Sequence, residues 1–337
     1  MIQADYRSVG FSQRNQAQWL LFIIPVFNDW ASLTTLLEHL DLTLTRQGIR
    51  AEVLVVDDAS TIPAQTVLSL AGLSAIERVS LLKLKRNLGH QRAIAIGLAY
   101  AEAHCSADMV VVMDSDGEDT PEDVVRLVNV CVDTDCQKIV FARRSQRSES
   151  WLFRLFYQAY RSTYRLLTGF DIQVGNFSVI PFELLHRLVV VSEIWNHYAA
   201  GILKSKLPYA DVPTRRGYRY HGQSKMNFTA LVAHGLSAMS VFSEMVGVRL
   251  LMASCGLIGL TTAALFAVIA VRFLTDLAIP GWTSYLVVAL VSVILQAFII
   301  SLSFIFLVLI GRNSTSFLPN RDYHHFVLAL EEVFSNV

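Results

Sequence analysis

The chain lacks the fingerprints of the two commonest classes of nucleotide-binding protein. Within its 337 residues, no G-x-G-x-x-G follows the first apolar segment and no G-x-x-x-x-G-K-[ST] is present. The first motif holds a dinucleotide at a helix N-terminus, and the second holds phosphates in a P-loop. Both interpretations therefore lose their sequence support.

Cysteine is scarce, and the N-terminus lacks the apolar core of an export signal. The first twenty residues are polar and mixed, so we expect that the globular part is not exported. His90, His221 and His234 share no ligand spacing, so we expect none of them at a metal. The cysteines show no zinc-type spacing either and are expected to be free thiols in a reducing cytosol; they are Cys105, Cys131, Cys136 and Cys255.

Charged side chains are missing from two long stretches near the C-terminus, residues 250–271 and 277–311. Each stretch exceeds the roughly 20 apolar residues that cross a bilayer, so both predict membrane spans. Pro280, Gly281 and Trp282 lie at their junction and predict a turn with an interfacial aromatic. The spans should therefore form a hairpin that returns the C-terminus to the side of the N-terminal domain.

Basic residues flank this hairpin unevenly. Arg249, Arg312 and Arg321 lie on the domain side, whereas Arg272 belongs to the loop. By the positive-inside rule, the domain side is cytoplasmic. The expected organisation is a cytoplasmic domain over 1–226, an interfacial amphipathic helix over 227–249, spans over 250–271 and 283–310, and a cytoplasmic tail over 311–337.

Charge is also distributed unevenly within the domain, although the formal net charge is zero. Residues 51–137 carry 14 acidic and 6 basic side chains, whereas residues 138–225 carry 14 basic and 5 acidic ones. A basic half next to the membrane would face anionic headgroups or an anionic lipid substrate, with each nearby cation worth about 1 kcal/mol. A solvated basic face is the alternative.

The segment VVVMDSDGEDTPED, residues 110–123, places Asp114 and Asp116 at the end of a run of β-formers. Two carboxylates at i and i+2 point the same way from a strand, and packing does not require them there. Such oxygen ligands suit Mg²⁺ or Mn²⁺, which commonly share their shell with phosphate oxygens. The segment therefore predicts metal-assisted handling of a diphosphate. A cap for the next helix is the alternative, but Thr120 and Asp123 already complete that cap.

Short apolar runs alternate with helical segments in the soluble part. Leucines recur at helical spacing from Leu33 to Leu44, and residues 90–103 are rich in alanine. The strand-like runs cover residues 19–27, 51–57, 79–85, 109–114 and 138–142. This alternation predicts an open α/β domain, in which ligands bind beyond the C-terminal ends of the strands.

Polar residues cluster at those strand ends. Asp57 and Asp58 end the second strand, where a carboxylate could accept hydrogen bonds from a ribose or a base edge; a turn-forming pair is the alternative. Lys85 and Arg86 follow the third strand and could neutralise a diphosphate or simply form a solvated strand end. The first strand is followed by Asn28 and Asp29.

The motifs occur in the order IPVFND, VVDDAS, RNLGHQRAIAIGLAYA, MDSDGEDTPED, FARRSQRSESW, GNFSVIP and RYHGQSKM, before the two spans. Over essentially the whole chain, this order resembles the family 2 glycosyltransferases, and within them the polyprenyl-phosphate, dolichol-phosphate mannosyltransferase-like group. The resemblance implies a GT-A (nucleotide-diphospho-sugar transferase) α/β fold, a UDP- or GDP-linked sugar donor, a divalent metal and inversion at the anomeric carbon.

The resemblance also implies roles for individual residues. Asp58 matches a nucleobase or ribose contact, and Asp114 and Asp116 match the metal-binding D-x-D. The first nucleotide loop is matched by Pro25, Asn28 and Asp29. A segment that closes over phosphate groups before the membrane is matched by Arg219, Ser224 and Lys225. Its GQSK sequence predicts a flexible lid, and a simple linker is the alternative.

Two positions depart from the family pattern. Relatives often have Asp where this chain has Asn176, and Lys where it has His90. Asn176 cannot accept a proton, which is tolerable for a lipid phosphate acceptor because a phosphomonoester is already largely anionic at neutral pH. A sugar hydroxyl would instead need a general base. A neutral His90 would hold a phosphate through one hydrogen bond without a fixed charge.

Two further segments predict interfacial helices. Residues 151–168 place Arg154, Arg161 and Arg165 on one side of a helix with aromatic residues around them. Such a helix could lie at the headgroup level and offer cations to a lipid phosphate, and a surface or subunit-interface helix is the alternative. Residues 228–248 should form a second helix that leads into the first span.

The sequence thus predicts an integral protein of the bacterial inner membrane that transfers one sugar from a nucleotide sugar to undecaprenyl or dolichyl phosphate, as part of building a cell-envelope glycan. We expect a homo-oligomer and no nucleic-acid partner. The alternatives are transfer to another lipid hydroxyl and a catalytically silent sugar-nucleotide-binding scaffold. A processive polysaccharide synthase is disfavoured because Q-x-x-R-W is absent.

Overall fold

The computed structural model shows a mixed α/β domain joined to two long helices. It describes residues 18–64, 68, 70, 72–144, 151–171, 174–222, 228–275, 281–313 and 317–336. The domain contains, in chain order, β1 (Trp19–Val26), α1 (Trp30–Gln47), β2 (Arg50–Asp57), β3 (Ile76–Leu84), α2 (His90–His104), β4 (Met109–Val112), α3 (Pro121–Asp133), β5 (Ile139–Arg144), α4 (Trp151–Thr168), β6 (Ser178–Pro181), α5 (Phe182–Leu188), α6 (Tyr198–Ser205) and β7 (Tyr209–Thr214). The C-terminal part contains α7 (Phe228–Ser240), α8 (Ser243–Leu274), α9 (Trp282–Asn313), α10 (Pro319–Asp322) and β8 (Val327–Ser335).

The described strands form one sheet in the order β7-β5-β6-β4-β1-β2-β3-β8. Strands β4, β1, β2 and β3 run parallel, whereas β6 and β8 are antiparallel to their neighbours. All five strands predicted from the sequence are present. The sheet is therefore the predicted α/β sheet, with antiparallel strands added on both sides of its parallel centre.

Helices cover both faces of this sheet, which explains why its central strands are apolar throughout. Leu20, Phe22 and Ile24 of β1 pack on the side of α1 and α3. Leu21 and Ile23 of the same strand pack on the opposite side, with α2, α5 and α6. Alternate residues of one strand thus belong to two separate cores.

Local features of the sequence account for the packing and the ends of the first helices. The leucine stripe of α1 is buried, and the helix ends at Gly48, whose φ of 66° is the left-handed conformation that glycine adopts without strain. The cap of α3 is the predicted one, because the Thr120 hydroxyl accepts from the Asp123 N–H. In α2, Gly97 lies so close to β1 and β2 that an added Cβ would be 2.7 Å from Ile23 and Val56.

Helices α8 and α9 pack side by side as an antiparallel hairpin. Segments Ser243–Leu274 and Thr283–Leu309 are long and apolar enough to cross a membrane, and almost none of their residues are buried in protein. This exposure distinguishes them from the core helices of a soluble domain. The Ser301 hydroxyl donates to Ser254 Oγ across the hairpin at 2.8 Å, a polar contact of the kind that joins helices in membranes.

The chain returns to the domain after α9. Strand β8 pairs antiparallel with β3, and Lys83 Nζ lies 2.6 Å from Glu331 Oε1 across this pair. The segment expected to be a cytoplasmic tail therefore includes a strand of the domain sheet.

Candidate active site

The loops after β1 and β2 are joined at the C-terminal edge of the sheet. Asn28, in the left-handed region at φ 53°, accepts the backbone N–H groups of Thr61 and Ile62 through Oδ1 at 2.9 and 3.0 Å. Its own N–H donates to Ser60 Oγ at 2.9 Å. Asn28 thus shapes the predicted nucleotide loop, while Pro25 lies in β1 opposite Val56 of β2.

The carboxylates at the end of β2 face the protein. Asp57 accepts the Ser60 N–H at 2.8 Å, and Asp58 accepts the N–H groups of Leu88 and Gly89 at 2.7 and 2.8 Å. Burial raises the pKa of Asp58 although these two hydrogen bonds act to lower it. Asp58 therefore holds the loop that leads into α2, and a contact with a nucleotide would require it to release one of these bonds. Arg86 is exposed in that loop.

The D-x-D segment forms a tight, glycine-dependent turn after β4. Asp116 Oδ1 accepts the Glu118 N–H at 2.9 Å, and Gly117 has φ 89°. A Cβ on Gly117 would lie 2.5 Å from the Tyr220 ring, so a larger residue does not fit. The pKa of Asp116 is raised, mainly by burial and then by the charge of Asp114. The hydrogen bond from the Glu118 N–H and the charge of Arg219 act to lower this pKa but do not outweigh those causes.

Arg219 connects this turn to the loop after β1. Its Nη1 lies 2.9 Å from Asp116 Oδ2, and its Nη2 lies 2.6 Å from Asp29 Oδ2. The backbone around it is also attached to the turn, because Tyr220 N donates to Asp116 O and Gly217 N donates to Glu118 O, both at 2.9 Å. The structure thus brings together three of the predicted site residues.

The two positions that depart from the family pattern are in contact with each other. His90 Nε2 lies 3.0 Å from Asn176 Nδ2 and 3.1 Å from Asp114 Oδ1. Burial lowers the pKa of His90, but the charge of Asp114, a hydrogen bond to it and the charges of Asp119 and Asp116 outweigh burial and raise this pKa. A protonated Nε2 donates to Asp114, whereas an unprotonated one accepts from Asn176.

Sequence reasoning missed several residues of the site. A cleft beside the D-x-D turn is lined by Asp114, Glu118, Asn176 and Arg215, among others, and Arg215 matched no motif considered above. Gln91 was missed as well, although its Nε2 donates to Asn176 Oδ1 at 3.1 Å. The predicted residues Ser224 and Lys225 lie outside the described residues.

The donor set at this edge fits a divalent cation shared with a substrate. Among the described residues, no three His, Cys, Asp or Glu side chains converge as a complete metal site. Asp114 and Asp116 offer carboxylate oxygens, and Mg²⁺ is commonly bound by one or two carboxylates together with substrate phosphates and water. Burial and then the neighbouring charge of Asp114 raise the pKa of Asp116, and a cation bound between the two carboxylates would offset the second of these causes.

Comparisons with known proteins agree with this architecture. A family model described as Glycosyl transferase family 2 matches residues 21–189. The undecaprenyl-phosphate 4-deoxy-4-formamido-L-arabinose transferase of Edwardsiella ictaluri (strain 93-146) is 26% identical over 250 residues, which are 68% of this chain and 73% of the relative. The glycosyltransferase YkcC of Bacillus subtilis (strain 168) is 24% identical over 275 residues, which are 80% of this chain and 82% of the relative.

Among solved structures, glucosyl-3-phosphoglycerate synthase from Mycobacterium tuberculosis in complex with Mn²⁺, UDP-glucose and phosphoglyceric acid superposes with a TM-score of 0.49 at 16% identity. The match covers 68% of this chain and 80% of that one. The family model spans half of the chain, including the strands that precede the Asn28 loop and the D-x-D turn. The chain therefore belongs to glycosyl transferase family 2: it is a glycosyltransferase with a GT-A domain and two apolar C-terminal helices.

Proposed function

We propose that this glycosyltransferase transfers a single sugar from a nucleoside-diphosphate sugar to a polyprenyl phosphate at the cytoplasmic face of a membrane, with inversion. The observation that carries the proposal is Asn176 in the cleft beside the D-x-D turn. An amide cannot remove a proton, so the acceptor that fits is one whose attacking oxygen is already anionic. Relatives named as undecaprenyl-phosphate transferases support the same acceptor class.

Asp114 and Asp116 would hold the divalent cation, which supplies charge neutralisation for the leaving diphosphate. Arg219 already contacts Asp116 and the nucleotide loop, and would turn its guanidinium to phosphate oxygens once a cation neutralises the carboxylates. Such charge-assisted hydrogen bonds are strong and directional. Ser224 and Lys225 would contribute a hydroxyl group and a further cation for contacts with phosphate.

The helical hairpin supports a lipid acceptor. Its two segments fit membrane spans, and Lys204 Nζ donates to the Val241 carbonyl at 2.8 Å, which ties the domain to the junction between α7 and α8. Tyr160 of α4 similarly donates to Gly235 O of α7 at 3.2 Å. The domain is thereby attached to helices that would lie at the bilayer surface.

The experiment is a screen of the purified full chain in lipid nanodiscs. UDP- and GDP-linked sugars are paired with undecaprenyl phosphate, dolichyl phosphate, the matching polyprenols, diacylglycerol and ceramide, and product masses are read directly. We expect one sugar added to a polyprenyl phosphate only. Transfer to a lipid hydroxyl would replace this acceptor class, and the lack of any product despite nucleotide-sugar binding would favour the scaffold alternative.

A further inference from the structure

Tyr198, at the start of α6, is linked to Asn176 by two hydrogen-bonded paths. One path, through Gln91, reaches the Asn176 side chain, and the other, through Ser178, reaches its backbone carbonyl. The Tyr198 N–H donates to Gln91 Oε1 at 2.6 Å, and Gln91 Nε2 donates to Asn176 Oδ1 at 3.1 Å. The Tyr198 hydroxyl lies 2.7 Å from Ser178 Oγ, which donates to the Asn176 carbonyl at 3.0 Å. We call the first of these chains, Tyr198 N–H to Gln91 to Asn176, the amide relay.

The backbone determines the direction of every hydrogen bond in the amide relay. A backbone N–H can only donate, so Gln91 must turn its oxygen to Tyr198 and its NH₂ group to Asn176. Asn176 must then present its oxygen to Gln91, which leaves its NH₂ group 3.0 Å from His90 Nε2. Asn176 is also one of the residues that line the cleft. The amide orientation that is usually ambiguous for asparagine is therefore determined here.

An NH₂ group held in this way is a donor and offers no acceptor to the cleft. His90 Nε2 lies near one side of the group at 3.0 Å, and the amide has two N–H bonds to give. A donor at this position favours an oxygen that carries negative charge. It gives no help to a hydroxyl group that must lose a proton before it attacks.

We propose that Gln91 is a positioning residue for the acceptor: it keeps the Asn176 NH₂ group turned to the cleft, where that group donates a hydrogen bond to an oxygen of the acceptor phosphate. This inference rests on the proposed function, because it takes the acceptor to be a phosphate monoester. Another oxygen of the same phosphate forms the bond to the anomeric carbon, the bond from that carbon to the donor diphosphate breaks, and the diphosphate leaves with the electron pair. No proton is transferred to Asn176.

The test is a double-mutant cycle between Gln91→Met and Asn176→Ala in the full chain in nanodiscs. Methionine fills similar space and makes neither relay bond. We expect Gln91→Met to raise the KM for polyprenyl phosphate about tenfold, as for loss of a hydrogen bond to a charged group, with kcat and the KM for the nucleotide sugar little changed. In the Asn176→Ala background, Gln91→Met should have no further effect on this KM, because the relay acts through Asn176.

A second variant distinguishes orientation of the Asn176 amide from a purely structural role of Gln91. In Gln91→Glu the carboxylate still accepts the Tyr198 N–H but offers no N–H to Asn176. The Asn176 amide should then turn over and present its oxygen to the cleft, so the acceptor KM should rise more than in Gln91→Met. The matched control is Glu102→Gln on the same helix, whose bond to His186 joins α2 to α5 away from the cleft; it should leave the acceptor KM unchanged.

The dissociation constant of farnesyl phosphate, measured by calorimetry on the UDP-loaded protein, gives the same cycle without catalysis. Additive effects of the two substitutions, or an unchanged acceptor affinity in Gln91→Met, overturn the positioning role while leaving the proposed function intact. A wild-type protein that transfers no sugar to polyprenyl phosphate overturns the proposed function. The double-mutant cycle on farnesyl phosphate binding then decides whether Gln91 acts through Asn176. If farnesyl phosphate does not bind a wild type that transfers sugar to polyprenyl phosphate, the proposed function stands and the kinetic double-mutant cycle decides the positioning role.

Discussion

At the scale of single residues, carboxylates in this site are crowded around one arginine, Arg219. Asp116 has a raised pKa because of burial and then Asp114, and its Oδ2 is already in contact with Arg219. Asp29 shares the same guanidinium. We infer that Arg219 partly neutralises these carboxylates when no cation is bound, and that cation and substrate compete with those contacts.

Asp116→Asn should lower glycosyl transfer by about a hundredfold or more, the scale of losing one preorganised electrostatic contact to the transition state. The domain should stay folded, because an asparagine oxygen can still accept the Glu118 N–H. Initial rates of radiolabelled sugar transfer, with and without a chelator, measure the effect. Asp133→Asn, at the exposed end of α3, is the control. Substantial turnover in excess chelator would contradict the metal assignment.

Arg219→Ala and Lys225→Ala should each weaken transfer by more than the about 1 kcal/mol of a generic cation at the membrane surface. A charge-assisted hydrogen bond to phosphate contributes roughly 1.5–3 kcal/mol, which corresponds to a loss of tenfold or more in kcat/KM. Steady-state kinetics in nanodiscs measure both.

The control for these two variants is Lys206→Ala, on an exposed residue at the end of α6. Lys204 is a poorer control, because it pairs with Glu193 and bonds the Val241 carbonyl. Equal small losses in all three alanine variants would mean that the basic segment only attracts the membrane.

At the scale of secondary-structure elements, the sequence predicts what local patterns encode. The five apolar strands, the leucine stripe of α1 and the Thr120 cap of α3 follow from composition and periodicity. Strand β6 has only four residues, and β7 is half polar and half exposed. Strand β8 pairs with β3 about 250 residues earlier in the chain, and nothing local signals that pairing. The amide relay was missed for the same reason, since it joins α2 to α6 through Gln91 and Tyr198.

Gly97→Ala should destabilise the domain by about 1–3 kcal/mol, the usual cost of overpacking a core. The added Cβ would lie 2.7 Å from the Ile23 and Val56 side chains, so α2 must move away from the sheet, and α2 carries His90 and Gln91. The melting temperature should fall together with activity. Ala103→Ser, at an exposed position of the same helix, should change neither. An unchanged melting temperature in Gly97→Ala would show that the helix shifts without cost.

At the scale of the whole molecule, the C-terminal strand constrains the membrane topology. Because β8 belongs to the sheet of the domain, β8 must lie on the same side of the membrane as the rest of the domain. Helices α8 and α9 therefore either both cross the bilayer or neither crosses. Their length, apolar surface and lack of burial fit crossing, and the positions of Arg249, Arg272 and Arg321 favour a cytoplasmic domain.

Labelling of single cysteines in a background without the four native ones tests this topology. Gly281→Cys, in the connection between α8 and α9, should react with a membrane-impermeant maleimide in cells whose outer membrane alone is permeabilised. Leu328→Cys, 64% exposed on β8, should react only after the inner membrane is opened. Both expectations follow from the proposal that the domain is cytoplasmic, because β8 belongs to the domain sheet and two spans separate it from the rest of that sheet. The reverse pattern would place the domain on the outer side of the inner membrane. Labelling of both sites before the inner membrane is opened would mean that the helices do not cross it.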